Sequence, residues 1–177
     1  MKLLFMRHGQ TNYNVLGLCN DDPGKDVHLT EFGREQARLV AEKIQHERID
    51  AIVVSELPRT RETAEIINRD HGAPIITQPL LNDIRTGLDS KPVAEYFART
   101  EQDPLNISIN KGESLLAHKH RVLQYFDWLK TLRYACVLTV AHEETLRVFY
   151  AWFNQVPDQG LRDLHFDNCQ VLNYQFS

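Results

Sequence analysis

The sequence predicts an α/β protein: one continuous domain over residues 1–177, built as a three-layer α/β/α sandwich around a mainly parallel sheet. Three observations carry this. Short apolar runs recur at Lys2 to Met6, Ala51 to Val54 and Cys136 to Ala141, too short for helices and rich in branched or aromatic residues, as buried strands are. Helical patterns lie between them, and strands alternating with helices favour parallel pairing with right-handed crossovers. No internal repeat, low-complexity tract or Pro/Gly/Ser-rich linker interrupts the 177 residues, a length that corresponds to about one domain and buries about 70% of the unfolded surface.

Each element has its own signal. After the first strand, Ala37, Val40, Ala41 and Ile44 follow the i, i+3, i+4, i+7 stripe, with Thr30 as N-cap and Glu31 favourable in the first turn. Pro58 suits the first turn of a second helix running to about Asp70. A third helix spans Glu113 to about Leu132, because Leu115, Val122, Phe126 and Leu129 share a face, with Ser114 or Gly112 near its start. A fourth follows Ala141 through Val148 and Trp152. From Cys169 to Phe176, Val171, Asn173 and Gln175 alternate with Leu172, Tyr174 and Phe176, which reads as an edge strand with one polar face.

Composition narrows the function classes. Hydrophobic residues are 42% and charged residues 25%, as in an ordinary globular chain, and the net charge of −4 provides no basic field for nucleic acid or an anionic membrane. Arg59 and Arg61 are interleaved with Glu56 and Glu62 rather than forming a basic stripe. Arg7 ends the first apolar run well short of the roughly 7–15 residues of a signal-peptide core, and no segment approaches the roughly 18 apolar residues of a membrane span. Cys19, Cys136 and Cys169 are odd in number and show no CxxC spacing, which fits reduced thiols. A cytoplasmic location is expected, with no membrane and no nucleic-acid partner. Nothing in the chain specifies an oligomeric state.

In such sheets ligands bind beyond the carboxyl ends of the strands. There the chain places Arg7-His8-Gly9, then Ser55 with Arg59 at a helix start, then Ala141-His142. Two arginines and two histidines thus meet on one edge beside helix N-termini, whose free N–H groups and dipoles favour an anion. A phosphoryl group is the natural guest, because guanidinium forks match its oxygens.

The motifs extend almost end to end: Arg7-His8-Gly9-Gln10-Thr11 with Asn14, Leu29-Thr30-x-x-Gly33 with Gln36-Ala37, Ser55-x-Leu57-x-Arg59 with Thr63-Ala64, Leu80 to Asp83, Gly112-Glu113-Ser114-Leu115, and Val140-Ala141-His142 with Arg147. In this order they resemble the histidine phosphatase superfamily, in the branch of cofactor-dependent phosphoglycerate mutases and small broad-specificity phosphatases. The resemblance implies the phosphoglycerate mutase-like fold, a small phosphorylated substrate and a histidine nucleophile, His8. A neutral imidazole, with an ordinary pKa near 6.5, can attack phosphorus at neutral pH. Arg7, Arg59 and His142 would hold the phosphoryl oxygens. Asn14 would add a neutral donor, with Gln10, Thr11 and Glu113 also expected at the substrate. A charge favouring a helix N-terminus explains Glu113 equally well.

Two positions depart from the family pattern. The proton donor of this branch is usually Glu, and the matching residue is Asp83, one methylene shorter. Many relatives have Gly where this chain has Glu143, and in the acid phosphatase branch an acidic residue after this histidine is the donor. Asp83 and Glu143 therefore compete for the acid role, with Asp83 favoured because a loop can close a one-methylene gap.

No metal or cofactor is expected. His142-Glu143-Glu144-Thr145-Leu146 fails the H-E-x-x-H pattern at Leu146, and His118 and His120 point to nearly opposite sides of a helix. The expected function is metal-independent phosphomonoester hydrolysis. The alternatives are mutase-type transfer, which usually comes with insertions around the pocket that this chain lacks, and a non-catalytic phospholigand-binding module. Arg85 and Lys91 are candidates for attracting a second acidic group.

Overall fold

The sheet has five strands in the order β3-β2-β4-β1-β5, and the first four are parallel. In this computed structural model, which describes residues 1–176, they are β1 (Lys2–Arg7), β2 (Ala51–Val54), β3 (Ile75–Thr77), β4 (Cys136–Ala141) and β5 (Val171–Gln175). Ser177, the last residue of the expected domain, lies outside the described residues. β5 runs antiparallel to β1 at the edge, with Asn173 and Gln175 exposed, as its polar alternation predicts.

Alternation in the central strands sorts the side chains into two cores. Leu4 and Met6 of β1 point to one face, where Ile52, Val54, Leu138 and Val140 pack under α2 (Glu31–Ile44) and α3 (Pro58–Ile67). Leu3 and Phe5 point to the other and meet Val122, Tyr125 and Phe126 of α5 (Leu115–Lys130) and Val148 and Phe149 of α6 (Glu143–Asn154). Phe5 and Phe149 stack with centroids 4.1 Å apart, and burying each ring contributes about 1.5–3 kcal/mol. These layers are the predicted sandwich. No helix among the described residues is long and apolar enough to cross a membrane.

The helix ends follow local chemistry. Thr30 caps α2 by accepting from the Gly33 N–H at 3.0 Å. α3 stops at Ile67, short of the expected Asp70, because the Asn68 side-chain amide exchanges two hydrogen bonds with the Ala73 backbone, both at 2.8 Å, and turns the chain. Ser114 rather than Gly112 caps α5, accepting from the Ala117 N–H at 3.2 Å, so Glu113 stands outside the helix. Cys169 has φ +61° and precedes β5 instead of opening it.

Three strands or α-helices have no signal of their own in the sequence: β3, α1 (Asn12–Leu16) and α4 (Val93–Arg99). They have three, five and seven residues, too few for a periodic signal. α4 supplies Tyr96 to a third apolar cluster with Ile84, Leu115 and Leu161, which caps the sheet beyond its carboxyl ends.

Candidate active site

Pairing register assembles the site. Arg7 lies opposite Ala141 in the parallel β1–β4 ladder, so the residues after them, His8 and His142, become neighbours with ring centroids 5.3 Å apart. Gly9 follows because the chain must then pass against the N-terminus of α2. A Cβ at Gly9 would lie 2.5 Å from the Gly33 carbonyl oxygen, and one at Gly33 would lie 2.1 Å from that of Gln10. The two glycine motifs are thus one contact, which Thr63 of α3 secures by accepting from the Gly9 N–H at 3.1 Å.

His8 is buried and its ring is oriented from behind. Nδ1 donates to the Gly9 carbonyl at 2.7 Å, which makes Nε2 the lone-pair nitrogen, and that atom accepts from Nε of Arg59 at 3.2 Å. Burial, reinforced by the charges of Arg59 and Arg7, holds the His8 pKa well below 6.5, so the ring is neutral at neutral pH. Asn20 positions Arg59, accepting from Nη1 through its side chain at 2.6 Å and from Nη2 through its carbonyl at 3.0 Å.

Asp83 closes the other side. Its Oδ2 accepts from Nη2 of Arg59 at 3.1 Å and lies 3.6 Å from Nδ1 of His142. Burial raises the Asp83 pKa, against the pull of Arg59. His142 is fully buried and its pKa is pushed well below 6.5, by burial first and by Arg59 next. Its Nε2 contacts Ser55 Oγ at 2.9 Å; an N–H faces a carboxylate better than a lone pair does, so we assign the proton to Nδ1. That atom has no hydrogen-bond partner, and neither has the buried Nε of Arg7.

Glu143 opens α6 and is held by donors. Oε2 forms an ion pair with Nη1 of Arg7 at 2.9 Å, while Oε1 accepts from Nη2 of Arg147 at 3.2 Å and from the Phe166 N–H at 3.3 Å. His165 Nδ1 lies 2.7 Å from the same Oε1. Arg7 also donates to the Phe166 carbonyl at 2.6 Å.

A cavity of about 300 Å³ opens over these groups. Of the residues expected at the site, Arg7, His8, Thr11, Asn14, Arg59, Asp83 and Glu143 line it, and His142, which is not in the lining, has Nδ1 3.6 Å from Asp83. Gln10 and Glu113 do not line it. Gln10 accepts from the Thr30 hydroxyl at 2.9 Å, spending its side chain on the α2 cap. Glu113 forms a two-point pair with Arg121, whose Nη1 also donates to the Leu80 and Asn82 carbonyls at 2.8 and 3.0 Å. Together they pin the loop that carries Asp83. Arg85 and Lys91 are also outside the lining; Arg85 is exposed and lies 3.6 Å from Glu113.

Asn20, Arg121 and Glu144 were not singled out from sequence. Asn20 and Arg121 act through contacts 39 residues away, to Arg59 and Asn82, which no local spacing reveals. Among the described residues no group of three or more His, Cys, Asp or Glu side chains could hold a metal ion.

Comparisons with known proteins identify the family and the fold. The family model described as histidine phosphatase superfamily (branch 1) matches residues 3–177. A protein of Photorhabdus laumondii named "Probable phosphoglycerate mutase GpmB" is 29% identical over 188 aligned residues, covering 100% of this chain and 86% of the relative. Its counterpart in Yersinia enterocolitica is 28% identical with the same coverage. The crystal structure of an α-ribazole phosphatase from Shigella flexneri superposes with a TM-score of 0.90 at 24% identity, covering 100% of this chain and 91% of that one. A mycobacterial glucosyl-3-phosphoglycerate phosphatase gives 0.83 at 23% identity, covering 97% and 91%. At these identities the two structures show a shared fold.

Proposed function

The chain belongs to the histidine phosphatase superfamily, and from that premise we propose that it hydrolyses small phosphomonoesters through a phosphohistidine on His8, without a metal ion. The observation that carries this reading is the orientation of His8: Nδ1 donates to the Gly9 carbonyl, so Nε2 bears the lone pair, which accepts from Nε of Arg59, and both residues line the cavity.

In the first step the Nε2 lone pair forms a bond to phosphorus. The bond from phosphorus to the leaving oxygen breaks, its electron pair goes to that oxygen, and the oxygen takes the Asp83 proton. Arg7, Arg59 and the Nδ1–H of His142 carry the charge on the three non-bridging oxygens, and Asn14 adds a donor at the mouth. In the second step water attacks phosphorus, Asp83 carboxylate accepts its proton, and the Nε2–phosphorus bond breaks to release inorganic phosphate.

The Asp83 contacts support this role. Its Oδ2 sits between Arg59 and His142, two of the donors assigned to the phosphoryl group. An arriving dianion takes over those donors and repels the carboxylate, and both effects drive Asp83 to its protonated, donating form.

A rapid-quench reaction with a radiolabelled phosphomonoester in the presence of chelator tests the proposal. Label should appear on His8 in a bond lost in acid and stable in base. Label on Ser55 or a cysteine, or turnover that requires a divalent ion, overturns it. The relatives' name favours a second reading, transfer of the phosphoryl group to another hydroxyl instead of water; product analysis with and without an added acceptor alcohol separates the two.

A further inference from the structure

We infer that the cavity selects phosphomonoesters whose alcohol has an apolar body and no second negative charge, and that Glu143 and Glu144 exclude a second anion. The inference rests on the hydrolase reading, which assigns the phosphoryl group to Arg7 and Arg59.

The charges lining the cavity are the first argument. Among the described residues that line it, three guanidiniums, Arg7, Arg59 and Arg147, face three carboxylates, Asp83, Glu143 and Glu144. With the phosphoryl group on Arg7 and Arg59, Arg147 is the cation left for a carboxylate or second phosphate, and it is already taken. Its Nη1 is 2.7 Å from Glu144 Oε1 and its Nη2 is 3.2 Å from Glu143 Oε1. A second anion would have to break one of these largely buried pairs and then sit beside the released carboxylate. The remaining basic side chain at the mouth, His165, faces Glu143 as well.

The rest of the wall supplies the second argument. Leu18, Val27, Ile84, Val93, Tyr96 and Phe97 give the same cavity apolar lining. An uncharged ring or short hydrocarbon gains by burial there, whereas a carboxylate would lose its hydration with no cation to replace it.

The test compares benzyl phosphate with its para-carboxybenzyl twin, which differ by one remote charge. The expected kcat/KM ratio is at least about tenfold in favour of the uncharged ester. Glu144→Gln should narrow that ratio severalfold and Glu144→Asp should preserve it, a pattern that a merely structural role would not produce. Equal or faster turnover of the carboxylated ester, or a ratio that Glu144→Gln leaves unmoved, overturns the inference. If neither ester is hydrolysed, the hydrolase reading is what fails. Calorimetric binding of the corresponding benzylphosphonates then decides the selectivity: tighter binding of the uncharged one supports it, and equal binding refutes it.

Discussion

Arg59 and Asp83 form the ion pair at the heart of the site, Nη2 to Oδ2 at 3.1 Å, although the charge of Arg59 does not overcome the burial that raises the Asp83 pKa. A carboxyl group so placed can carry a proton and is poised to lose its partner to a substrate dianion. Glu143, by contrast, is ion-paired with Arg7 and accepts from Arg147 and the Phe166 N–H. Its lone pairs are spent on the protein, which fits a part in orienting Arg7.

The choice between the two acids has a direct test. Asp83→Asn should lower kcat/KM for an alkyl phosphate by about 10²–10⁴, the usual contribution of a general acid, and that for nitrophenyl phosphate by far less, since nitrophenolate needs little protonation. Glu143→Gln should lower both esters by a similar factor through misplacement of Arg7. If only Glu143→Gln shows the leaving-group dependence, Glu143 is the donor.

The pH profile follows from the same environment. His8 acts when deprotonated, and its pKa is held well below 6.5, so the nucleophile stays active as pH falls through that value. The acid limb of kcat/KM for nitrophenyl phosphate should therefore lie below 6.5. Asp83 must be protonated to donate, and its raised pKa extends that form upward in pH. An alkyl ester should show an alkaline decline that disappears in Asp83→Asn. An acid limb centred at 6.5, lost when His8 is replaced, would contradict the burial argument.

Glu113 predicts an acid-labile support for the Asp83 loop. Burial alone would raise its pKa, but Arg121 and the Arg85 N–H hold it at about 2, below its ordinary 4.5. A depressed carboxyl pKa contributes stability that is complete above 4.5 and is lost as pH falls through 2, here on the order of 3 kcal/mol. Glu113→Gln should lose about that much at neutral pH and flatten the pH dependence between those values, read from denaturant midpoints. An unchanged midpoint would mean the pair contributes nothing.

Much of this was legible in the chain. Runs such as Ala51–Val54 and Cys136–Ala141 are apolar throughout because both faces of a central parallel strand are covered, and the Ala37, Val40, Ala41 stripe marks one helix face against the sheet. Arg7, His8 and His142 were legible because strand ends in such sheets converge on one edge. Asn20 and Arg121 were not, because their partners are far away in sequence, and Gln10 and Glu113 carry a motif position without revealing which way the side chain turns.

The sequence by itself determined the layers, the strands at the centre and the family motifs, since these depend on periodicity and on residue types at fixed spacing. Only the tertiary structure decided that Gln10 and Glu113 brace the wall, that Glu143 is bound by two guanidiniums, and that Arg147 has no charge to spare. Those outcomes depend on distances between side chains from separate elements, such as the 2.9 Å between Arg7 and Glu143, and a charge is available to a ligand only after its neighbours in space have been satisfied.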